Sequence, residues 1–211
     1  MEWIVQLPIL FFSIVFHEVC HGWVALRNGD DTAKRLGRLS FNPVDHIDPM
    51  GTIVLPLICV LAHIPPIGWA KPVPVTASRM RSPRWAMVRV AVIGPLSNIG
   101  LSLTAAVAFR LIAELPGFSP DLQRTILNAL LFTVQINLFL AFFNLIPIHP
   151  LDGSKVLSGT LPARARQRYE LHRRYGFALI MLMVYSGAMS AVVMRPSRLV
   201  LGLMVKMGLI W

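Results

Sequence analysis

Residues 3–26 read WIVQLPILFFSIVFHEVCHGWVAL, and two features of this one stretch decide the architecture. It is an unbroken apolar run longer than the ~20 residues a helix needs to span a bilayer. Inside that run stands His17-Glu18-Val19-Cys20-His21. Acidic and basic side chains at membrane depth are costly and default to a functional reading. The run is also too long for a cleaved leader and lacks a basic start, so it reads as a permanent helix.

The rest of the chain agrees. Of 211 residues 55% are hydrophobic and 14% charged, where a soluble domain carries roughly 25% charged residues. Further spanning stretches are Trp85–Ala113, Ile126–Ile148 and Gly176–Met194, with a shorter tail at Leu199–Trp211. The expected fold is an all-α polytopic membrane protein forming one domain over 1–211. Its parts are the motif helix 3–26, a re-entrant or extended region 40–84, core helices 85–113 and 126–148, and C-terminal helices 176–194 and 199–211. No repeat, low-complexity tract or loop large enough for a soluble domain is visible. The net charge of +10 does not point to nucleic acid, because the basic residues sit in short loops between apolar segments, as the positive-inside rule expects. Cys20 and Cys59 lie in apolar sequence and form no metal-type pair.

Charge also gives an orientation. The loops 27–38 (Arg27, Lys34, Arg35, Arg38), 71–84 (Lys71, Arg79, Arg81, Arg84) and 153–174 (Lys155, Arg164, Arg166, Arg168, Arg173, Arg174) are basic, whereas 114–124 is not. The basic loops are expected on the cytoplasmic side. Gly51–Ala70 then cannot cross the membrane once, and Pro56, Pro65, Pro66 and Gly68 interrupt it, so it reads as a re-entrant hairpin shielded by protein. The alternative is an ordinary proline-kinked spanning helix. Lys71-Pro72-Val73-Pro74-Val75 reads as an edge strand that could pair with an extended substrate, or as a rigid linker.

Histidines at i and i+4 share one helix face and can converge on one ion, with the intervening Glu beside them. A catalytic zinc site takes three protein ligands and keeps a fourth position open. The third ligand must come from the same depth. The stretch Asn144-Leu145-Ile146-Pro147-Ile148-His149-Pro150-Leu151-Asp152-Gly153 breaks a helix with Pro147, Pro150 and Gly153, letting Asp152 turn inward. One Zn²⁺ per chain is therefore expected on His17, His21 and Asp152. Glu18 is expected to act as general base and acid towards the attacking water and the leaving amine. Asn144 is the candidate donor to the oxyanion or the substrate backbone, weighed equally against plain helix–helix hydrogen bonding. Asn98 leans towards the latter. His149, and less so His46 and Asp48, are candidate neighbours of the ligands; His63 and His172 read as loop or interface residues. A metal-binding transporter is the rival reading, but it needs no general base and commonly shows repeated halves.

These elements resemble the site-2 protease family of intramembrane zinc metalloproteases. The match lies in His17-Glu18-Val19-Cys20-His21, Asn144-x-x-Pro147 leading to Leu151-Asp152-Gly153, and Gly94-Pro95-Leu96-Ser97-Asn98 between them. The resemblance implies a three-helix catalytic core with His17, His21 and Asp152 as ligands and Glu18 as acid/base. A protease of this kind is expected to hydrolyse peptide bonds in membrane-anchored protein substrates, and composition and loop charge place it as a multi-pass protein of a cell membrane, such as a bacterial inner membrane, with its site towards the cytoplasm. The chain departs from better-known members in showing no PDZ or CBS insertion, and its oligomeric state is not legible.

Overall fold

The computed structural model describes residues 2–61 and 68–211, and all regular structure among them is helical. The apolar opening forms α1 (Glu2–Arg27), followed by the short α2 (Thr32–Arg35). A 3₁₀ turn at Pro43–His46 and a π turn at Pro49–Val54 lead to α3 (Leu55–Leu61). Then come α4 (Pro83–Glu114), α5 (Pro120–Asn144), α6 (Asp152–Thr160), α7 (Ala163–Leu171), α8 (Gly176–Tyr185) and α9 (Arg195–Lys206). Helices α1, α4 and α5 hold 26, 32 and 25 residues, roughly 39, 48 and 38 Å at ~1.5 Å per residue, enough to cross a ~30 Å hydrocarbon layer. Their outward faces carry exposed Ile4, Leu7, Phe12, Leu103, Val107 and Leu111. Such faces suit lipid.

Helix α4 is the centre of the bundle and packs on α1, α5 and α6. Its inward face is built from small residues, Gly94, Ser102, Ala105 and Ala106, which let neighbouring backbones approach closely. Ala105, Ala106 and Phe109 meet Val134 and Leu138 of α5 and Met204 of α9 in one buried cluster. Helix α5 starts on Ser119, whose hydroxyl accepts from the Leu122 amide, with Pro120 in the first turn; both are favoured start signals.

Polar cross-links give the helix directions. His21 of α1 pairs with Val90 of α4 and His17 with Asn98, so α1 and α4 are antiparallel. Asn98 pairs with Asn137 of α5 and Ser102 with Val134, so α4 and α5 are antiparallel too. The segment joining α1 to α4 therefore leaves and re-enters at the same end of the bundle. Consistently, the Trp69 amide donates to the Gly51 carbonyl at 3.1 Å and the Thr52 hydroxyl to the Trp69 carbonyl at 2.9 Å. Pro65, Pro66 and His63 lie outside the described residues.

The expected strand at Lys71–Val75 is a correction. No strand occurs among the described residues, and this segment has no regular structure. Pro72 and Pro74 lack N–H donors. Of the remaining donors, the Lys71 amide goes to the His46 carbonyl at 2.9 Å and the Val73 amide to the Glu18 carboxylate at 2.9 Å. Towards the C-terminus, 176–194 is not one straight helix. The helical run Ala163–Tyr185 meets Ser190–Lys206 at 81°, and the two together could form a fourth, broken span.

Candidate metal centre

His17 and His21 project from the C-terminal half of α1, and Asp152 comes from the first turn of α6. All three are buried. His17 Nε2 lies 3.0 Å from Asp152 Oδ2, His21 Nε2 2.9 Å from the same oxygen, and the two Nε2 atoms 3.0 Å from each other. Donors at ~2.0–2.2 Å from one tetrahedral zinc stand about 3.3 Å apart, so the triangle is close to the size one ion needs.

The protons decide whether that triangle wants a cation. His21 Nδ1 is 2.6 Å from the Val90 carbonyl, an acceptor only, so Nδ1 carries the proton. His17 Nδ1 is 2.5 Å from Asn98 Oδ1. The Asn98 amide nitrogen donates to Asn137 Oδ1 at 2.8 Å, the Asn137 nitrogen donates to Ser13 Oγ at 2.9 Å, and the Ser13 hydroxyl donates to the Ile9 carbonyl at 2.8 Å. The Asn137 nitrogen also donates to the Thr133 carbonyl at 2.9 Å, so the amide nitrogens of both asparagines face acceptors, Asn98 presents its oxygen to His17, and His17 Nδ1 also carries the proton. In the neutral rings both Nε2 atoms are then bare lone pairs, facing each other and a carboxylate. Such a donor set is electrostatically unfavourable when empty and suits a divalent ion; orienting a ligand histidine through its other nitrogen is a recurrent device of metal sites.

Two glycines make room. A Cβ on Gly94 would stand 2.5 Å from Cε1 of both His17 and His21. A Cβ on Gly153 would collide with the Leu145 carbonyl, so the chain could not fold back after α5 to deliver Asp152. Lys155 Nζ holds the other Asp152 oxygen, Oδ1, at 2.9 Å, leaving Oδ2 to the histidines. Glu18, half-buried beside the cluster, keeps Oε2 on the Val73 amide.

Comparison with known proteins bears on what this cluster is. The sequence profile of peptidase family M50 matches residues 111–186, which include Asn144 and Asp152. A protein of Bacillus subtilis (strain 168) named "Putative zinc metalloprotease YwhC" is 35% identical over 89% of this chain and 82% of its own length. The chain belongs to peptidase family M50. Two mycobacterial proteins, each named "Putative zinc metalloprotease Rip2", are also similar. The one from Mycolicibacterium smegmatis is 25% identical over 84% of this chain and 65% of its own length; that from Mycobacterium tuberculosis is 30% identical over 82% and 62%. No solved structure matches. The chain is thus a zinc metalloprotease of the M50 type with apolar helices fit for a membrane, and His17, His21 and Asp152 form a group able to hold the ion.

Around this M50 centre the other sequence candidates scatter. The Asn144 amide nitrogen donates to the Leu140 carbonyl, one turn back, at 3.0 Å. His46 is fully buried and binds the Ser40 carbonyl, Asp48 caps the turn at Met50 and Gly51, and exposed His172 binds Arg168. His149 contacts Ser154 and Glu170. Ser13, Asn137 and Lys155 were not singled out from sequence. Ser13 is one turn before His17 and Lys155 one turn after Asp152, so helical spacing from a ligand was the available signal.

Proposed function

We propose that this M50 chain is an intramembrane endopeptidase, with His17, His21 and Asp152 holding one Zn²⁺ and Glu18 moving the proton. What carries the reading is the triangle of bare Nε2, Nε2 and Oδ2 atoms at 2.9–3.0 Å. When bound, zinc supplies Lewis acidity that activates water and polarises the scissile carbonyl. The residues do the rest. Glu18 has one oxygen fixed by the Val73 amide, so its carboxylate is aimed before substrate arrives. Its free Oε1 accepts a proton from the attacking water and returns it to the leaving amine. Asn144 has a second amide hydrogen beyond the one on Leu140 and is our candidate for the oxyanion or for the substrate backbone.

The substrates we propose are membrane-anchored proteins, because the three residues are buried in a bundle whose long helices expose apolar faces suited to lipid. The same reading places the protein as a multi-pass component of a cell membrane, a bacterial inner membrane, with its basic loops and metal centre towards the cytoplasm. No nucleic acid partner is proposed. The test is Glu18→Gln, which keeps the shape and removes the base. Reconstituted with candidate single-span proteins, the variant should be folded and zinc-loaded yet cleave ~10²–10⁴-fold more slowly. Cleavage at the wild-type rate would remove Glu18 from the mechanism.

A further inference from the structure

Lys155 has two neighbours. Its ammonium binds Asp152, and its side chain also lines a separate open pocket of about 510 Å³ shared with Arg84, His149, Arg166, Glu170 and Arg173. Four cations face one acid there. They are not equivalent. Arg84 is pinned by the Gly159 and Leu161 carbonyls at 2.6 and 2.7 Å, so its charge is fixed in place. Glu170 is engaged by the Ser158 hydroxyl at 2.5 Å. The guanidinium groups of Arg166 and Arg173 have no acceptor among the described residues, so two planar forks remain uncommitted.

The wall of the pocket carries a second signal. The Ser154 hydroxyl donates to the Leu151 carbonyl at 2.6 Å, so at the 3.1 Å contact with His149 Nδ1 the ring nitrogen is the donor. Its Nε2 is then an acceptor, buried, without a hydrogen-bond partner, and 3.6 Å from Glu170. A ligand suited to this lining is an oxyanion with acceptors on several sides and a hydroxyl to offer. Guanidinium forks match phosphate geometry, and a phosphoryl group can engage several cations at once where a carboxylate serves fewer.

We propose that this pocket binds a phosphoryl group through Arg166 and Arg173, with Arg84 and Lys155 as flanking charges and His149 taking a ligand hydroxyl. The pocket lies where α4 begins and α6 and α7 cover it, at the end of the bundle that carries the basic loops. Anionic lipid headgroups and soluble phosphate esters both reach such a place. The inference is independent of the chemistry at the metal centre, and its readout is binding.

The experiment uses purified full-length protein in detergent free of anionic lipid. Inorganic phosphate should raise the unfolding temperature saturably, and sodium glutamate at equal ionic strength should not. The double variant R166Q/R173Q should weaken phosphate binding on the order of tenfold or more. R164Q/R168Q, which removes equal charge from α7 outside the pocket, should bind as wild type. If the glutamine pair does not fold, R166K/R173K carries the same comparison, keeping charge and losing the forks. Native mass spectrometry with equimolar phosphatidylglycerol and phosphatidylcholine separates the sources. Retention of phosphatidylglycerol, displaced by phosphate, assigns a lipid headgroup; phosphate binding without lipid preference assigns a soluble ester. Equal weakening in both double variants, an equal effect of glutamate, or no saturable phosphate effect would overturn the proposal.

Discussion

His17 and His21 are useful to a metal because their protons are spoken for elsewhere. Asn98 and the Val90 carbonyl fix the ring tautomers, and α4 comes close enough to do this only because residue 94 has no side chain. Gly94→Ala is therefore the sharpest residue-scale prediction. The new Cβ, 2.5 Å from both Cε1 atoms, must push the imidazoles off their positions, while alanine itself favours helix. Zinc affinity should fall ~10–100-fold, as when ligand support is disturbed, with unfolding temperature held or raised. A chelator-competition titration reads the first, a melting curve the second, and unchanged affinity would show that the close approach is not needed. The gathering of these three side chains was legible because His17 and His21 are a local i, i+4 pair, and because prolines and Gly153 mark the break that frees Asp152. The Asn98–Asn137–Ser13 chain was not, since its direction exists only once three helices are paired. Buried amides of this kind cost ~1–3 kcal/mol when left unsatisfied, so the chain also ties the bundle together.

The connection from α1 to α4 is the element that sequence described least well. Alternating prolines and valines look like an edge strand, but pattern alone could not show that the Val73 amide would be taken by Glu18 rather than by another strand. That the connection leaves and returns at one end of the bundle was easier to read, because loop charge puts 27–38 and 71–84 on the same side. The connection is moored by Asp30, which is buried and accepts from the Thr32 amide at 3.0 Å, the Thr76 amide at 2.5 Å and the Thr32 hydroxyl. Burial alone would raise its pKa, yet these hydrogen bonds and nearby Arg79 hold the carboxyl below its usual range. A depressed carboxylate stabilises the fold above its unfolded pKa, ~3.9, and that contribution is lost as pH falls through the lower folded value. Hydrogen exchange at the Thr76 amide, corrected for intrinsic rate, should therefore accelerate as pH drops below about 4. Asp30→Asn should remove that pH dependence. Exchange that is flat with pH in the wild type would mean that Asp30 does not moor the segment.

Across the whole molecule, the antiparallel order α1, α4, α5 sets the parity on which everything else depends. Because 28–82 starts and ends at one end of the bundle, α5 runs parallel to α1 and delivers Asp152 to the depth of His17. Single-cysteine probes at Ser40 and Ser78 should accordingly label from the same, cytoplasmic, side of sealed vesicles. Labelling from opposite sides would contradict the parity. The measurement that reaches the central claim most directly is the zinc content of the purified full-length protein, by elemental analysis, in the wild type and in Asp152→Ala. The account predicts about one zinc per chain in the wild type and loss of the ion in the variant, because two histidines on α1 cannot retain it without the carboxylate from α6. A folded Asp152→Ala protein that keeps its full zinc would contradict it.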